Sequence, residues 1–346
     1  MENKLSRIVF FNLGGITNPG ARYRGYQIAR KMEKMGYKTN VFSLFSLTRK
    51  NLFLKIVQNI LHIFIRISQI LKTKKTDRII IQTAMFPHGP PFFEIILKKI
   101  MKRKVFFDIN DAIFIPYPKK TEIQIKISDG VIAGNNFLKD YALKYNKNVV
   151  VIPTSVDLDA LKDIKRTEKN SNVVVGWVGT PSTLKFLEIL KEPLGNIGRK
   201  FKNIEFRIIG ANEFKEIVPK FENIKVILID WELDKDWRDI ANFDIGVMPL
   251  YDDIASKGKC AWKALQYMAI GIPSISSDVG AIKDVIKSSK EGLLVKNKDD
   301  WIKALGYLIK NKKQREEIGK NGREIIKKRY SLEVNVPKML NFLENN

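Results

Sequence analysis

The stretch Asn172–Leu187, NVVVGWVGTPSTLKFL, runs from an apolar strand through Gly179 into Thr180, Pro181, Ser182 and Thr183. Gly179 ends the strand, Pro181 suits a first helical turn, and the hydroxyl side chains supply caps. Lys185 sits one turn inside. The start of the chain has the same order. There RIVFFNL (Arg7–Leu13) leads into Gly14 and Gly15, and the helix that follows carries Arg22 and Arg24 near its start. A glycine turn between strand and helix brings backbone N–H groups close to an anion. This first turn lacks the GxGxxG spacing of a dinucleotide site, and a tight turn beside two solvated arginines explains it equally well.

Between and beyond these two openings, short β-branched runs alternate with longer helical patterns. The first half predicts strands at Arg7–Leu13, Lys38–Leu44, Arg78–Thr83, Lys104–Ile109, Gly130–Gly134 and Val149–Thr154. The second half predicts them at Asn172–Gly179, Ile204–Gly210, Ile224–Asp230, Asp244–Leu250, Pro273–Ser277 and Gly292–Val295. Near-continuous apolar strands separated by amphipathic helices indicate parallel sheets covered on both faces. The polar segment Asp157–Ser171 separates the two series. An α/β chain of two doubly wound domains is therefore expected, 1–160 and 161–329, with a hinge near residue 160. Ligands of such sheets sit at the carboxyl ends of strands, so the expected site is the cleft between the domains.

Charge narrows the partners. Over 346 residues there are 61 Lys and Arg against 37 Asp and Glu, a net charge of +24. That excess calls for an anionic partner: nucleic acid, an anionic membrane surface or a phosphorylated small molecule. One cysteine excludes an internal disulfide, and with two histidines it makes a His/Cys metal site improbable, so no metal is expected. The start, MENKLSRIVFF, does not read as a secretory signal, which predicts a cytoplasmic protein. The longest apolar-rich run, Ile56–Leu71, reads as too short and too polar to cross a bilayer. It lies in a segment, Arg49–Arg78, with basic residues throughout, a single acid at Asp77 and no clean polar face. Such a segment suits either a helix lying on an anionic membrane surface or a buried crossover helix with basic ends.

Three further stretches carry candidate chemistry. FFDINDAIF places Asp108 and Asp111 at a strand end, where carboxylates bind sugar hydroxyls or stabilise a positive centre, or where they cap a helix. VILIDWELDKDW ends a strand in Asp230 and Trp231, at the height where a nucleobase would be held, although an interface tryptophan fits as well. DDIASKGKCAWKALQYMAIGIPSIS (Asp252–Ser276) predicts a helix from near Lys259 to Gly271, with Lys257 and Lys259 beside its free N–H groups. Cations there are unfavourable unless an anion offsets them. Cys260 shares a helical face with Ala264 and Met268 and reads as a small core residue before it reads as a nucleophile.

With these residues assembled, the chain resembles the GT-B glycosyltransferases, and among them the large family four of retaining bacterial enzymes. The resemblance covers almost the whole chain. GWVGTPSTLKFL, DIGVMPLYDD, KGKCAWKALQYMAIGIPSISSDVGAIKDVI and EGLLV carry it in the second half, and KVFFDINDAIF and GVIAGNNFLKDYALKYNKNVVVIPTSVD in the first. It implies two Rossmann-like domains facing across a cleft, the second binding the nucleotide-sugar, with a last helix, about 330–346, packing back on the first. It further implies sugar transfer from a UDP- or GDP-linked donor to a glycan or lipid-linked acceptor in building the bacterial cell surface. The nucleotide-sugar is a co-substrate, no cofactor is needed, and the enzyme would work at the inner face of the plasma membrane.

On this reading Asp108, Asp111 and Asp253 serve catalysis, and Arg22 and Arg24 lie on the acceptor side. Donor residues are Gly14, Gly15, Gly179, Thr180, Lys185, Asp230, Trp231, Asp252, Lys257, Lys259, Cys260 and Gln266. The sequence departs from the family signature of two glutamates separated by seven residues, whose places fall on Gly258 and Gln266. Asp252 and Asp253 are the nearest carboxylates to replace them, and Lys185, Lys257 and Lys259 replace an arginine absent after Gly179. Rival readings are an epimerase or phosphorylase of the same fold, or a basic nucleic-acid-binding protein. The last lacks any zinc finger, RNP strand or helix-turn-helix, so nucleic acid is not an expected partner.

Overall fold

The computed structural model describes residues 7–45, 52–168, 172–233 and 235–346. The chain forms two compact units. Unit 1 comprises Met1–Ser155, Gly258–Cys260 and Leu332–Asn346; unit 2 comprises Val156–Lys257 and Ala261–Ser331. The boundary thus falls a few residues before 160, and the tripeptide at 258–260 joins the first unit.

Unit 1 is built on six parallel strands in the order β2-β1-β3-β4-β5-β6. They are β1 (Ile8–Asn12), β2 (Thr39–Ser43), β3 (Arg78–Gln82), β4 (Lys104–Ile109), β5 (Gly130–Ala133) and β6 (Val149–Val151). All five β1 residues are buried, as a strand covered on both faces requires. Its alternate side chains feed two cores. Ile8 and Phe10 join Ile80, Phe106 and Ile132 under helix α1 (Gln27–Lys34) and the last helix, Leu332–Glu344. Val9 and Phe11 join Ile79, Ile81 and Val105 on the other face. That face packs helix α2 (Leu52–Leu71) through Ile70. It also packs the turn α3 (Phe92–Ile95), through Phe93, and the wide π turn Ile96–Ile100 that continues it, through Leu97. Helix α4 (Asn136–Leu143) packs Leu138 and Ala142 beside β4 and β5.

Unit 2 has six parallel strands in the order β12-β11-β10-β7-β8-β9. They are β7 (Val173–Val178), β8 (Ile204–Ile209), β9 (Lys225–Ile229), β10 (Ile245–Met248), β11 (Ser274–Ser277) and β12 (Leu293–Val295). Every strand expected from the sequence is present, Lys104–Ile109 with the same bounds and the others shortened at one or both ends. The order reverses between β7 and β10, which makes their carboxyl ends the switch point where doubly wound sheets bind ligands.

Two glycines shape that point. Gly176 of β7 and Gly246 of β10 are register partners. A Cβ on Gly176 would strike the Phe243 ring, and one on Gly246 the ring of Tyr267. Tyr267 belongs to helix α5 (Trp262–Ala269), and its hydroxyl accepts from Val178 N at 3.2 Å while donating to Val247 O at 3.3 Å. The absent side chains therefore set how closely α5 lies on the sheet. Gly246→Ala is expected to cost about 1–3 kcal/mol by overpacking, read as a lower thermal midpoint with the fold retained.

Candidate functional site

At the strand ends of unit 2, tight loops replace side chains with backbone. Gly179 N donates to Ile209 O at 3.1 Å, and a Cβ there would lie 2.8 Å from Thr183 Oγ1 and strike the Trp177 ring. Thr180 N donates to Thr183 Oγ1 at 3.2 Å, and the hydroxyls of Thr180 and Ser182 meet at 3.0 Å. The following Pro181–Leu190 segment is a 3₁₀ helix, on which Lys185 is exposed above the Phe186 ring. Gly210, in the left-handed region at φ 87°, turns β8 against the carbonyl of Gly179. Asp230 is exposed and accepts from Asn212 Nδ2 at 3.1 Å; Trp231 is half-buried against the core of Val178 and Ile209.

The loop after β10 differs from its sequence reading. The helix expected from Lys259 starts instead at Trp262, after Ala261 in the left-handed region at φ 55°. Lys257 ends a separate turn, Ile254–Lys257, so it stands at the end of a helical turn where a cation is favourable. It pairs with the exposed Asp252 at 3.1 Å. Asp253 Oδ1 accepts from Ser256 N at 2.6 Å, the geometry of a helix cap, so its carboxylate is partly committed to the turn. Gln266 is buried on α5. Gly280, at φ 65°, approaches the same turn so closely that a Cβ would lie 2.8 Å from Lys257 Cα. Sequence reading missed Gly210 and Gly280; a glycine just after a strand end was the available signal.

Unit 1 separates structural from exposed carboxylates. Asp108 is buried at the end of β4, with both oxygens bonded to Arg24 (Nε–Oδ2 3.0 Å, and Nη2–Oδ1). Arg24 Nη1 also donates to Ile152 O at 2.6 Å. Burial alone would lower the Arg24 guanidinium, but the Asp108 carboxylate outweighs it and holds its pKa above the ordinary value. The pair therefore ties the helix after β1 to the ends of β4 and β6, and this geometry gives Asp108 and Arg24 a fixing role rather than sugar or acceptor contacts. Arg22 is buried too, donating to Tyr23 Oη at 2.8 Å and lying over its ring. Both arginines sit in a π turn, Arg22–Tyr26. Gly14 leaves room for the Asn18 side chain, which caps the start of the helix at Ala21 N (3.1 Å), and Gly15 faces open space.

Asp111, by contrast, is exposed, with Lys259 Nζ at 3.8 Å. The backbone at 258–260 is clamped within unit 1. Asn135 Nδ2 donates to the carbonyls of Gly258 (3.1 Å) and Lys259 (3.2 Å), while its Oδ1 caps α4 at Leu138 N. Asn135 was also missed by the sequence reading, although GNN after a strand is a capping signal. A Cβ on Gly258 would lie 2.7 Å from Ala112 N, so no side chain fits where the family signature has its first glutamate. Cys260 Sγ donates to Asn110 O at 3.1 Å and packs with Phe107, Ile109 and Leu138, not with Ala264 and Met268, which lie in a different core. Desolvation pushes its thiol up to about 12, which excludes a thiolate at neutral pH.

The two aspartates of β4 and its loop should part company on mutation. Asp108→Ala strands a buried guanidinium and should cost about 3–5 kcal/mol of stability. Asp111→Asn should change stability by less than about 0.5 kcal/mol. Denaturant melts of both variants check this.

Residues 172–311 match the family model described as Glycosyl transferases group 1, a match that falls almost wholly within unit 2. No curated protein matches the chain by sequence. Among solved structures, sucrose-phosphate synthase from Thermosynechococcus elongatus is similar with a TM-score of 0.71 at 12% identity, covering 98% of each chain. Anabaena Alr3699/HepE, in complex with UDP and glucose, has a TM-score of 0.69 at 12% identity over 99% of this chain and 100% of its own. S. aureus TarM, in complex with α-GlcNAc-glycerol and UDP among other ligands, has a TM-score of 0.61 at 17% identity over 83% of this chain and 59% of its own. At these identities the likeness is one of fold, and the fold is GT-B.

Proposed function

We propose that the chain is a retaining, metal-independent glycosyltransferase that moves a sugar from a nucleotide-sugar to a glycan or lipid-linked acceptor of the bacterial cell surface. The observation that carries the reading is the match of residues 172–311 to group 1 glycosyl transferases, on the unit whose switch-point loops are glycine-lined. UDP is favoured over GDP as the carrier, because UDP accompanies the Anabaena and S. aureus proteins to which the chain is similar.

The reaction breaks the bond from the anomeric carbon to the β-phosphate oxygen and forms one to the acceptor oxygen. The diphosphate leaves as an anion and the acceptor hydroxyl loses its proton. Unit 2 supplies the N–H groups at the start of α5, which no side chain caps, and the cations Lys185 and Lys257. Fixed donors and cations aimed at the departing charge lower the barrier without reorganising. Unit 1 supplies Asp111, the exposed carboxylate after β4, as the group that orients the acceptor hydroxyl and takes up its proton, with Lys259 beside it. Asp252, an exposed carboxylate of unit 2, pairs with Lys257 and takes the place of the missing glutamates in this reading.

Replacing Lys257 or Lys259 by Ala should lower kcat/KM for donor turnover about 10–100-fold, the loss of one charge-assisted contact. The thermal midpoint should hold, since both are surface ion pairs. Calorimetric titration with UDP- and GDP-sugars, against duplex DNA at moderate salt, tests the class: saturable sugar-nucleotide binding is expected, and binding of DNA alone would overturn it.

A further inference from the structure

Helix α2 is inside out. It runs for 20 residues, longer than the apolar run suggested, and three of its polar side chains turn toward the protein. His62 and Arg66 are buried there, and Gln69 is partly so. His62 Nε2 bonds Phe45 O at 2.9 Å. Arg66 donates to Met85 O and to Gln69 Oε1, each at 2.7 Å, and to Asn12 O. The opposite face carries Phe53, Ile56, Ile60, Phe64, Ile67 and Leu71, within a stripe about 100° wide. All six are exposed, Phe53, Phe64 and Leu71 by 70%, 65% and 72%. A water-facing helix normally shows the reverse pattern, so this face is built for an apolar environment.

The charges around it say which environment. The turn α3 and its π continuation lie on the same sheet face and expose Phe92 and Ile100, again beside lysines. Exposed cations in the two stretches are Lys55, Lys72, Lys74, Lys75, Lys99 and Lys102. Residues 52–75 contain no acid, and 92–104 contain only Glu94, which is buried and accepts from Met85 N at 2.9 Å. Asp77 is buried in an ion pair with Arg7. Arg49 and Lys50, part of the basic segment in the sequence, lie outside the described residues.

We propose that the outer faces of α2 and α3 form a docking surface for an anionic lipid bilayer, with α2 lying in the plane of the interface. Phe53, Ile56, Ile60, Phe64, Ile67 and Leu71 enter the acyl boundary, and the lysines meet lipid phosphates. Although α2 is long and apolar enough to cross a membrane, spanning would strip Arg66 and His62 of partners fixed in unit 1. A second copy is a poor occupant, because a two-fold contact pairs this patch with itself, and its lysines would meet no exposed acid from residues 52–75 or 92–104 of the other copy. This surface stands independently of the transfer reaction and places the chain on a membrane surface.

Co-sedimentation of the full chain with vesicles tests it. Vesicles of phosphatidylcholine and phosphatidylglycerol in equal parts should bind at about 0.1 M salt and much less at about 1 M, where charge is screened. Phosphatidylcholine alone should bind weakly. The double variant Ile60→Ser, Phe64→Ser changes only exposed side chains and should lose about tenfold in affinity. Lys72, Lys74 and Lys75 changed together to Gln should lose the preference for phosphatidylglycerol. Failure of the wild type to bind, or equal binding by both variants, overturns the proposal. So does a lipid-free dimer, seen by sedimentation equilibrium, that the double variant dissociates. Sugar-nucleotide binding measured on the same variants should be unchanged, which keeps a failure here separate from a failure of the transferase reading.

Discussion

Close approach of helix to sheet, permitted by missing side chains, is the constraint on which both units rest. In unit 2 the facing glycines Gly176 and Gly246 admit the rings of Phe243 and Tyr267, and Tyr267 then bonds the backbone of β7 and β10 at their carboxyl ends. In unit 1 Gly25 is pressed against the Asn12 side chain at the end of β1, where a Cβ would clash. There Arg24 reaches Asp108 and Ile152 and fixes the helix after β1. A strained or left-handed backbone follows at the rim, at Gly210, Gly280 and Ala261. The rims offer N–H groups and small residues because the packing beneath leaves no room for more.

That packing separates two kinds of charge. Asp108 and Arg24 are buried partners whose energetics belong to folding, since an unpaired member of such a pair is costly. Asp111, Asp252, Lys185, Lys257 and Lys259 are wholly or partly exposed on loops and short helical turns, at little expense to stability. Cys260, with its protonated thiol, packs as an apolar residue. The departure from the glutamate signature also gains a physical reason. Gly258 lies against Ala112 with its carbonyl held by Asn135, so the chain at that point trades a charged side chain for backbone contact.

The architecture was legible in the residues because buried parallel strands leave long apolar runs, and all twelve were readable as such. Gly179 and Gly271 marked a strand end and a helix end for the same reason: glycine is chosen where backbone geometry demands it. Three things stayed hidden. Helix polarity around Lys257 depended on Ala261 adopting a left-handed conformation, which no propensity announces. The burial of Asp108 depended on Arg24, far away in sequence, and a carboxylate at a strand end reads alike whether it is paired or free. The inward polar face of α2 depended on backbone acceptors at Asn12 and Met85, supplied by other parts of the fold.

The chemistry itself is best tested by following the sugar. The chain should be incubated with sugar-labelled UDP- and GDP-linked donors and a lipid and glycan extract, and the products separated. Release of free nucleoside diphosphate, with the label moving into the glycan or lipid fraction, is the predicted result. Label that stays on the nucleotide with an altered sugar configuration, or appears as a sugar phosphate, would contradict it.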